Sequence, residues 1–185
     1  GYNIVGRTNL DEFAMGSTNR TSFFGGVDNA LHPDYVSGGS SGGSAFAVGA
    51  GLVPYALGTD TGGSIRQPAA FNNIYGMKPT YGLISRYGNI PFASSFDAIG
   101  PLTNTAFDNA QLLNDLSSND PCDQTNFKPE GYDATNLIGK DVKGLKVGIL
   151  KEWEEVEINP TIRKGINDQL QHLRDLGIEI KEYSV

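Results

Sequence analysis

The chain is 185 residues long and carries 14 Lys plus Arg against 21 Asp plus Glu, a formal net charge of -7. That balance argues against unaided binding of a polyanion, because phosphate contacts need local positive charge. A hydrophobic content of 38% with 19% charged residues suits a folded core rather than a disordered chain. A single cysteine, Cys122, excludes an internal disulfide and a cysteine-rich metal site, and no run approaches the roughly 20 apolar residues of a membrane span. A soluble cytoplasmic protein is expected. Gly1 in place of Met, with apolar Ile4–Val5 close behind, reads as a chain entered partway into a domain, so an internal fragment of something longer is expected.

Residues 1–102 hold 18 of the 24 glycines, with five basic and six acidic side chains, and read as tight turns and close backbone approaches. Residues 103–185 hold the other six glycines and the remaining -6 of charge, and read as amphipathic elements with solvated faces. In chain order, Ile4–Val5–Gly6 is a short buried strand candidate. Gly38–Gly43 is a loop feeding the small, apolar run Ser44–Leu52, a buried helix. Val53–Leu57 reads as a strand, Thr59–Gly63 as a turn, and Ser64 onward as a short helix that Pro68 begins or distorts. Leu102–Leu116 carries a helical stripe of Ala106, Ala110, Leu112, Leu113 and Leu116. Leu145–Leu150 is a strand, and Asn159–Pro160 supplies a cap and a first-turn proline. The stripe Ile162, Ile166, Leu170, Leu173 follows, closed by Leu176 before Gly177, and Ile178–Tyr183 alternates as a last strand. Strand, helix, strand at this spacing is a crossover unit, and the class is α/β, a mixed sheet flanked by helices.

Two serine-glycine segments carry the candidate chemistry. In Gly38-Gly39-Ser40-Ser41-Gly42-Gly43 the competing readings are a flexible surface loop and an anion-holding turn at a helix start. Phosphate binding is disfavoured, since neither GxxxxGK[ST] nor GxGxxG spacing occurs around this loop. In Gly58-Thr59-Asp60-Thr61-Gly62-Gly63-Ser64-Ile65-Arg66 a serine follows two glycines at a strand-to-helix junction. Side-chain oxygen and backbone N–H groups can converge there on one carbonyl, as an acyl-transfer nucleophile requires; a plain helix N-cap serine is the alternative. The two histidines, His32 in a turn and His172 on a polar helix face, offer neither a persuasive triad base nor zinc-ligand spacing. If Ser64 is a nucleophile, its base is not histidine.

Asn9–Ser17, Gly38–Ser44 and Ala56–Arg66 together resemble the amidase signature family. Gly58–Phe71, Tyr75–Ser95 and Val142–Glu152 extend the resemblance over essentially the whole chain, most closely to the glutaminase subunits of tRNA-dependent amidotransferases. The resemblance implies a Ser–cis-Ser–Lys triad in which Ser64 is the acyl-ester nucleophile and Ser40 the bridging serine on a cis peptide. It implies an oxyanion hole from the backbone of Thr61, Gly62, Gly63 and Ser64, with Asp60, Arg66 and Ser41 in support and Met15 and Gly16 close to the bound amide. The lysine is expected upstream of Gly1; Lys78 belongs to a separate Met77-Lys78-Pro79 motif and is not promoted to that role. Residues 1–185 then form an internal fragment of one amidase domain, 1–102 its signature region and 103–185 a helix and strand-helix-strand region, not expected to turn over substrate alone. The implied partners are the B and C subunits of an amidotransferase heterotrimer, glutamine, and charged tRNA held by the B subunit, with no membrane association. No cofactor is expected in the glutaminase subunit; ATP and Mg serve the complex, which converts Glu-tRNA(Gln), and also Asp-tRNA(Asn) in some members. A stand-alone amidase for small amides and a truncated, non-catalytic interaction protein are the alternatives.

Overall fold

In the computed structural model, which describes residues 1–185, the chain packs as two units, residues 1–138 and 139–185. The first is built on an antiparallel sheet of three strands, β1 (Tyr55–Asp60), β2 (Tyr75–Gly76) and β3 (Ala98–Thr103), in the order β1-β3-β2. Tyr55 pairs with Thr103 and Asp60 with Ala98, while Tyr75 pairs with Thr103 from the other side. Helices α1 (Gly42–Gly49) and α2 (Arg66–Phe71) cover one face, where Ala45, Val48, Ala69 and the preceding Ile65 pack with Leu102 of β3, each at most 2% exposed. On the other face, α3 (Ala106–Leu116) brings Leu113 against Leu83, Ile84 and Ile99.

Several boundaries differ from the sequence reading, each for a physical reason. β1 runs on through Thr59 and Asp60, read as a turn, because pairing with β3 continues to Ala98. Leu102, read as the start of a helix, lies in the central strand; the helix begins only at Ala106, where Thr105 accepts the N–H of Asp108 at 3.0 Å as its cap. β3 is buried on both faces, so it lacks an alternating pattern, and its Gly100-Pro101 pair looks like punctuation. Pro101 is tolerated because its carbonyl accepts from Met77 at 3.1 Å, so its ring nitrogen faces the same side, past the end of the two-residue β2. Ile4–Val5–Gly6 is not a strand: Ile4 and Val5 are exposed and no strand pairs with them. The compositional boundary at 102/103 falls inside β3, and the division in packing comes later, at 138/139.

The second unit is the crossover read from the sequence. β4 (Lys146–Leu150) pairs in parallel with β5 (Glu179–Tyr183), and α4 (Pro160–Asp175) connects them. Asn159 caps α4 by accepting the Thr161 N–H at 2.9 Å, and Pro160 occupies the first turn, where its missing N–H costs nothing. Gly177, at φ +81°, ends the helix in the left-handed region.

Leu102 reports on the core that positions the site. Leu102→Ala should cost about 3 kcal/mol by removing a fully buried side chain from between α1 and α2. Urea unfolding of the complete protein should show the loss as a lowered midpoint with an unchanged slope; a cost below about 1 kcal/mol would contradict this packing.

Candidate active site

At the end of β1 the chain turns sharply, and the Asp60 carboxylate organises the turn. Asp60 is fully buried, and its oxygens accept the N–H groups of Gly63 at 2.8 Å, Ile65 at 3.1 Å and Arg66 at 3.2 Å. Arg66 closes back on it with a two-pronged pair, Nε and Nη2 each at 3.0 Å. Burial pushes the Asp60 carboxyl up, but the Arg66 guanidinium and the three N–H groups outweigh burial and hold it below its ordinary value. The same hydrogen bond raises the Arg66 guanidinium.

This settles one alternative left open by the sequence. The N-terminal turn of α2 is capped by Asp60, so Ser64 is not the cap. Its half-buried side chain is left without that structural duty. Gly63 adopts φ +138°, a conformation open in practice to glycine alone. A β-carbon at Gly62 or Gly63 would meet nothing within 4 Å, so the outer side of the turn is open. Of the four N–H groups assigned by resemblance to an oxyanion hole, that of Gly63 is committed to Asp60. Thr61, Gly62 and Ser64 are the donors that the turn does not consume.

The second serine loop packs directly against the first. The Ser41 N–H donates to the Ser64 carbonyl at 3.1 Å. The Ser41 hydroxyl bonds β1, accepting from the Thr59 N–H and donating to the Thr59 carbonyl, both at 3.2 Å, while Ser44 donates to the Leu57 carbonyl at 2.7 Å. Ser41 and Ser44 therefore staple the start of α1 to the sheet. Ser40 differs from both: its Oγ is enclosed, has no hydrogen-bond partner within the chain, and follows a cis Gly39–Ser40 peptide, the isomer the resemblance implied. A buried hydroxyl without a partner is uncommon enough to call for an explanation.

Three further residues hold these loops, and the sequence reading assigned none of them a role. Asp11 is a buried carboxylate that accepts the N–H groups of Asn19 at 2.9 Å and Thr21 at 3.2 Å and the Thr21 hydroxyl at 2.9 Å, while its own N–H donates to the Ser40 carbonyl at 3.1 Å. A β-carbon at Gly39 would overlap the Asp11 carboxylate, so the two segments approach too closely for any larger residue. Gln67, on α2, accepts the Gly39 N–H at 2.9 Å and donates to the Ser17 carbonyl at 2.9 Å. Asp97, also buried, accepts from the Thr61 hydroxyl and from the N–H groups of Phe92 and Ala93, tying the loop before β3 to the turn that carries Ser64. The only sequence signal for Asp11 was its place in the Asn9–Ser17 motif; composition does not reveal that a carboxylate will be fully buried.

Of the other candidate residues, only Gly16 adjoins this cluster, through Asp11. Met15 is exposed, and Gly16 is pressed against the Asp11 side chain. His32, His172 and Cys122 are exposed, and no group of three or more His, Cys, Asp or Glu side chains could hold a metal ion. Two clefts, one lined by Arg86, Ser94 and Cys122 and one by Asn9, Phe13 and Phe24, include neither Ser40 nor Ser64. No helix is long and apolar enough to cross a membrane.

Similarity to known proteins agrees with this geometry. The chain is 50% identical over 182 residues to the A subunit of glutamyl-tRNA(Gln) amidotransferase from Streptococcus sanguinis and 52% identical to that from Streptococcus suis, in each case over 98% of this chain and 37% of the relative. It thus spans little more than a third of the length of these relatives. The crystal structure of the glutamyl-tRNA(Gln) amidotransferase A subunit from Thermotoga maritima superposes with a TM-score of 0.96 at 44% identity, covering 100% of this chain and 41% of that one. Native peptide amidase from Stenotrophomonas maltophilia superposes at 0.87 with 33% identity, over 97% of this chain and 38% of that one. The Amidase family model matches residues 1–185, so the serine loops, the sheet that carries them and the crossover unit all lie within one family pattern: the chain belongs to the amidase family.

Proposed function

We propose that the protein is the ammonia-producing subunit of a tRNA-dependent amidotransferase and hydrolyses glutamine at Ser64. The observation that carries this reading is the pairing of the two serine loops. Ser64 stands in a turn whose Gly63, Ile65 and Arg66 N–H groups are tied by Asp60, and its carbonyl is bonded to the loop that encloses the unpartnered Ser40 hydroxyl. A hydroxyl released from capping, beside the free backbone donors of a tight turn, suits acyl transfer. The names of the streptococcal and Thermotoga relatives support Glu-tRNA(Gln) amidation as the process served.

In this scheme a neutral lysine, supplied by sequence outside residues 1–185, takes the Ser40 proton as Ser40 takes the proton of Ser64. Ser64 Oγ attacks the glutamine carboxamide carbon, and the N–H groups of Thr61, Gly62 and Ser64 face the developing oxyanion. The C–N bond breaks as the proton returns to nitrogen, and ammonia leaves. Water then hydrolyses the acyl ester to glutamate. Asp60, Arg66 and Ser41 keep the loops in place, and Met15 and Gly16 border the amide once the remainder of the protein is present. The ammonia passes to the B subunit, which holds charged tRNA and uses ATP with Mg to activate it; the C subunit completes the heterotrimer. Asp-tRNA(Asn) is accommodated by the same scheme, and the glutaminase itself needs no cofactor.

The test is ammonia release from glutamine by the complete protein, alone and with the B and C subunits, with and without charged tRNA and ATP. Stimulation of release by tRNA and ATP in the complex is expected. The likeness to peptide amidase favours a second reading, hydrolysis of small amides without partners. That reading would show turnover indifferent to tRNA. Absence of amide hydrolysis in every condition would overturn both.

A further inference from the structure

Gln67 lies three residues beyond Ser64, in the first turn of α2, and both ends of its carboxamide are used. Oε1 accepts the Gly39 N–H and Nε2 donates to the Ser17 carbonyl, each at 2.9 Å. A β-carbon at Gly38 would stand 2.9 Å from Pro68 Cα and 3.0 Å from Gln67 Oε1, so residues 38–39 lie directly on this turn. On the far side of Ser40, its carbonyl accepts the Asp11 N–H at 3.1 Å, and the following Ser41 N–H reaches the Ser64 carbonyl. Those two anchors are main chain to main chain and survive any side-chain substitution. From α2, which follows Ser64, the Phe71 ring also lies against Gly38, but Gln67 is the side chain that hydrogen-bonds the Gly39 N–H.

Packing does not account for Gln67. The residues of α2 buried in the core are Pro68 and Ala69, whereas Gln67 is only partly buried and its polar end is spent on two loops. The loop it grips has glycine at 38, 39, 42 and 43, so its backbone resists displacement weakly. A hydroxyl-to-hydroxyl proton transfer needs heavy atoms about 2.6–3.2 Å apart. A shift of about 1 Å in such a constellation costs on the order of 100-fold in rate.

We propose that Gln67 is a positioning residue: by holding the Gly39 N–H it fixes the Ser40 segment against α2, which limits how far the Ser40 hydroxyl, unpartnered in this structure, must move to take the Ser64 proton. The proposal rests on the reading of Ser64 as nucleophile and Ser40 as its relay. It makes a separate claim about which contact sets their geometry.

Two variants of the complete protein, compared with wild type and with Ser64→Ala, test it. Gln67→Met keeps the length and volume of the side chain but loses both hydrogen bonds. Its kcat for glutamine should fall about 10- to 100-fold, with KM within about 3-fold and a thermal midpoint lowered by only a few degrees, the cost of the stranded Gly39 N–H. Gln67→Glu keeps an oxygen for the Gly39 N–H but replaces the donor to Ser17 with a carboxylate oxygen that turns away from that carbonyl, so it should recover most of kcat. Wild-type kcat in Gln67→Met, or an equal loss in both variants, overturns the proposal, the latter because the Ser17 contact would then be the one that matters. If Gln67→Met does not fold, Gln67→Glu decides alone: retained kcat supports the Gly39 contact, and a loss comparable to Ser64→Ala refutes it. Failure of the underlying reading is distinct, since wild type would then release no ammonia, or Ser64→Ala would release it normally.

Discussion

Ser64→Ala in the complete protein should abolish ammonia release from glutamine, by several orders of magnitude, with almost no change in stability. The two halves of that expectation come from different observations. Stability should hold because the N–H groups of the turn are tied by Asp60, so removing the Ser64 oxygen leaves no buried donor unsatisfied. Were Ser64 the cap of α2, alanine would cost about 1 kcal/mol and leave turnover intact. As the nucleophile, its loss removes the covalent path altogether. Free ammonium supplies the control: the mutant complex should still amidate Glu-tRNA(Gln) from ammonium, because the proposed scheme assigns that step to the B subunit. Loss of both ammonium- and glutamine-dependent reactions would locate the defect in assembly rather than chemistry.

Asp60→Ala should do the reverse, damaging the scaffold first and the chemistry through it. It strands three backbone N–H groups and the Arg66 guanidinium, which together should cost about 3 kcal/mol. The Arg66 side chain is 54% exposed and can return to water, so most of the penalty comes from the backbone of the turn. Turnover should fall at least 100-fold, since the proposed nucleophile and its proposed oxyanion donors share that turn. A pH dependence accompanies it. The Asp60 carboxyl is held below its ordinary value in the folded state. Its stabilisation is therefore complete above the ordinary carboxylate value of about 4 and is lost as pH falls below it, through the lower folded value. The gap in thermal midpoint between wild type and Asp60→Ala should be wide at pH 7 and narrow in stronger acid; an equal gap at both values would contradict the assignment.

Legibility in the sequence followed the strength of local signals. The crossover unit was readable because each of its devices is local: the Asn159 cap, Pro160, the stripe from Ile162 to Leu173, Gly177 and the alternation into β5. β3 was hidden because burial on both faces removes alternation and because Gly100-Pro101 imitates a turn. Ile4–Val5 looked buried because apolar residues usually are, but a strand needs a neighbour and none pairs with them here. At the site, Ser40 and Ser64 were visible as residues in motifs, and their identification rested on resemblance rather than spacing. Asp11, Gln67 and Asp97 were not singled out, because their roles depend on contacts with loops as far as 50 residues away, as in the Gln67 bond to Ser17. The commitment of the Gly63 N–H to Asp60 is likewise a matter of loop geometry that no motif prints.

The claim on which the rest depends is that Ser64 forms the acyl ester. It is tested most directly by quenching the complete enzyme in acid during glutamine turnover, then digesting it and mapping the modified peptide by mass spectrometry. A γ-glutamyl ester on Ser64, absent from Ser64→Ala and decaying with the rate of glutamate formation, is the predicted result. An ester on Ser40 or Ser41, or steady glutamine turnover with no modified serine at any time, would contradict it.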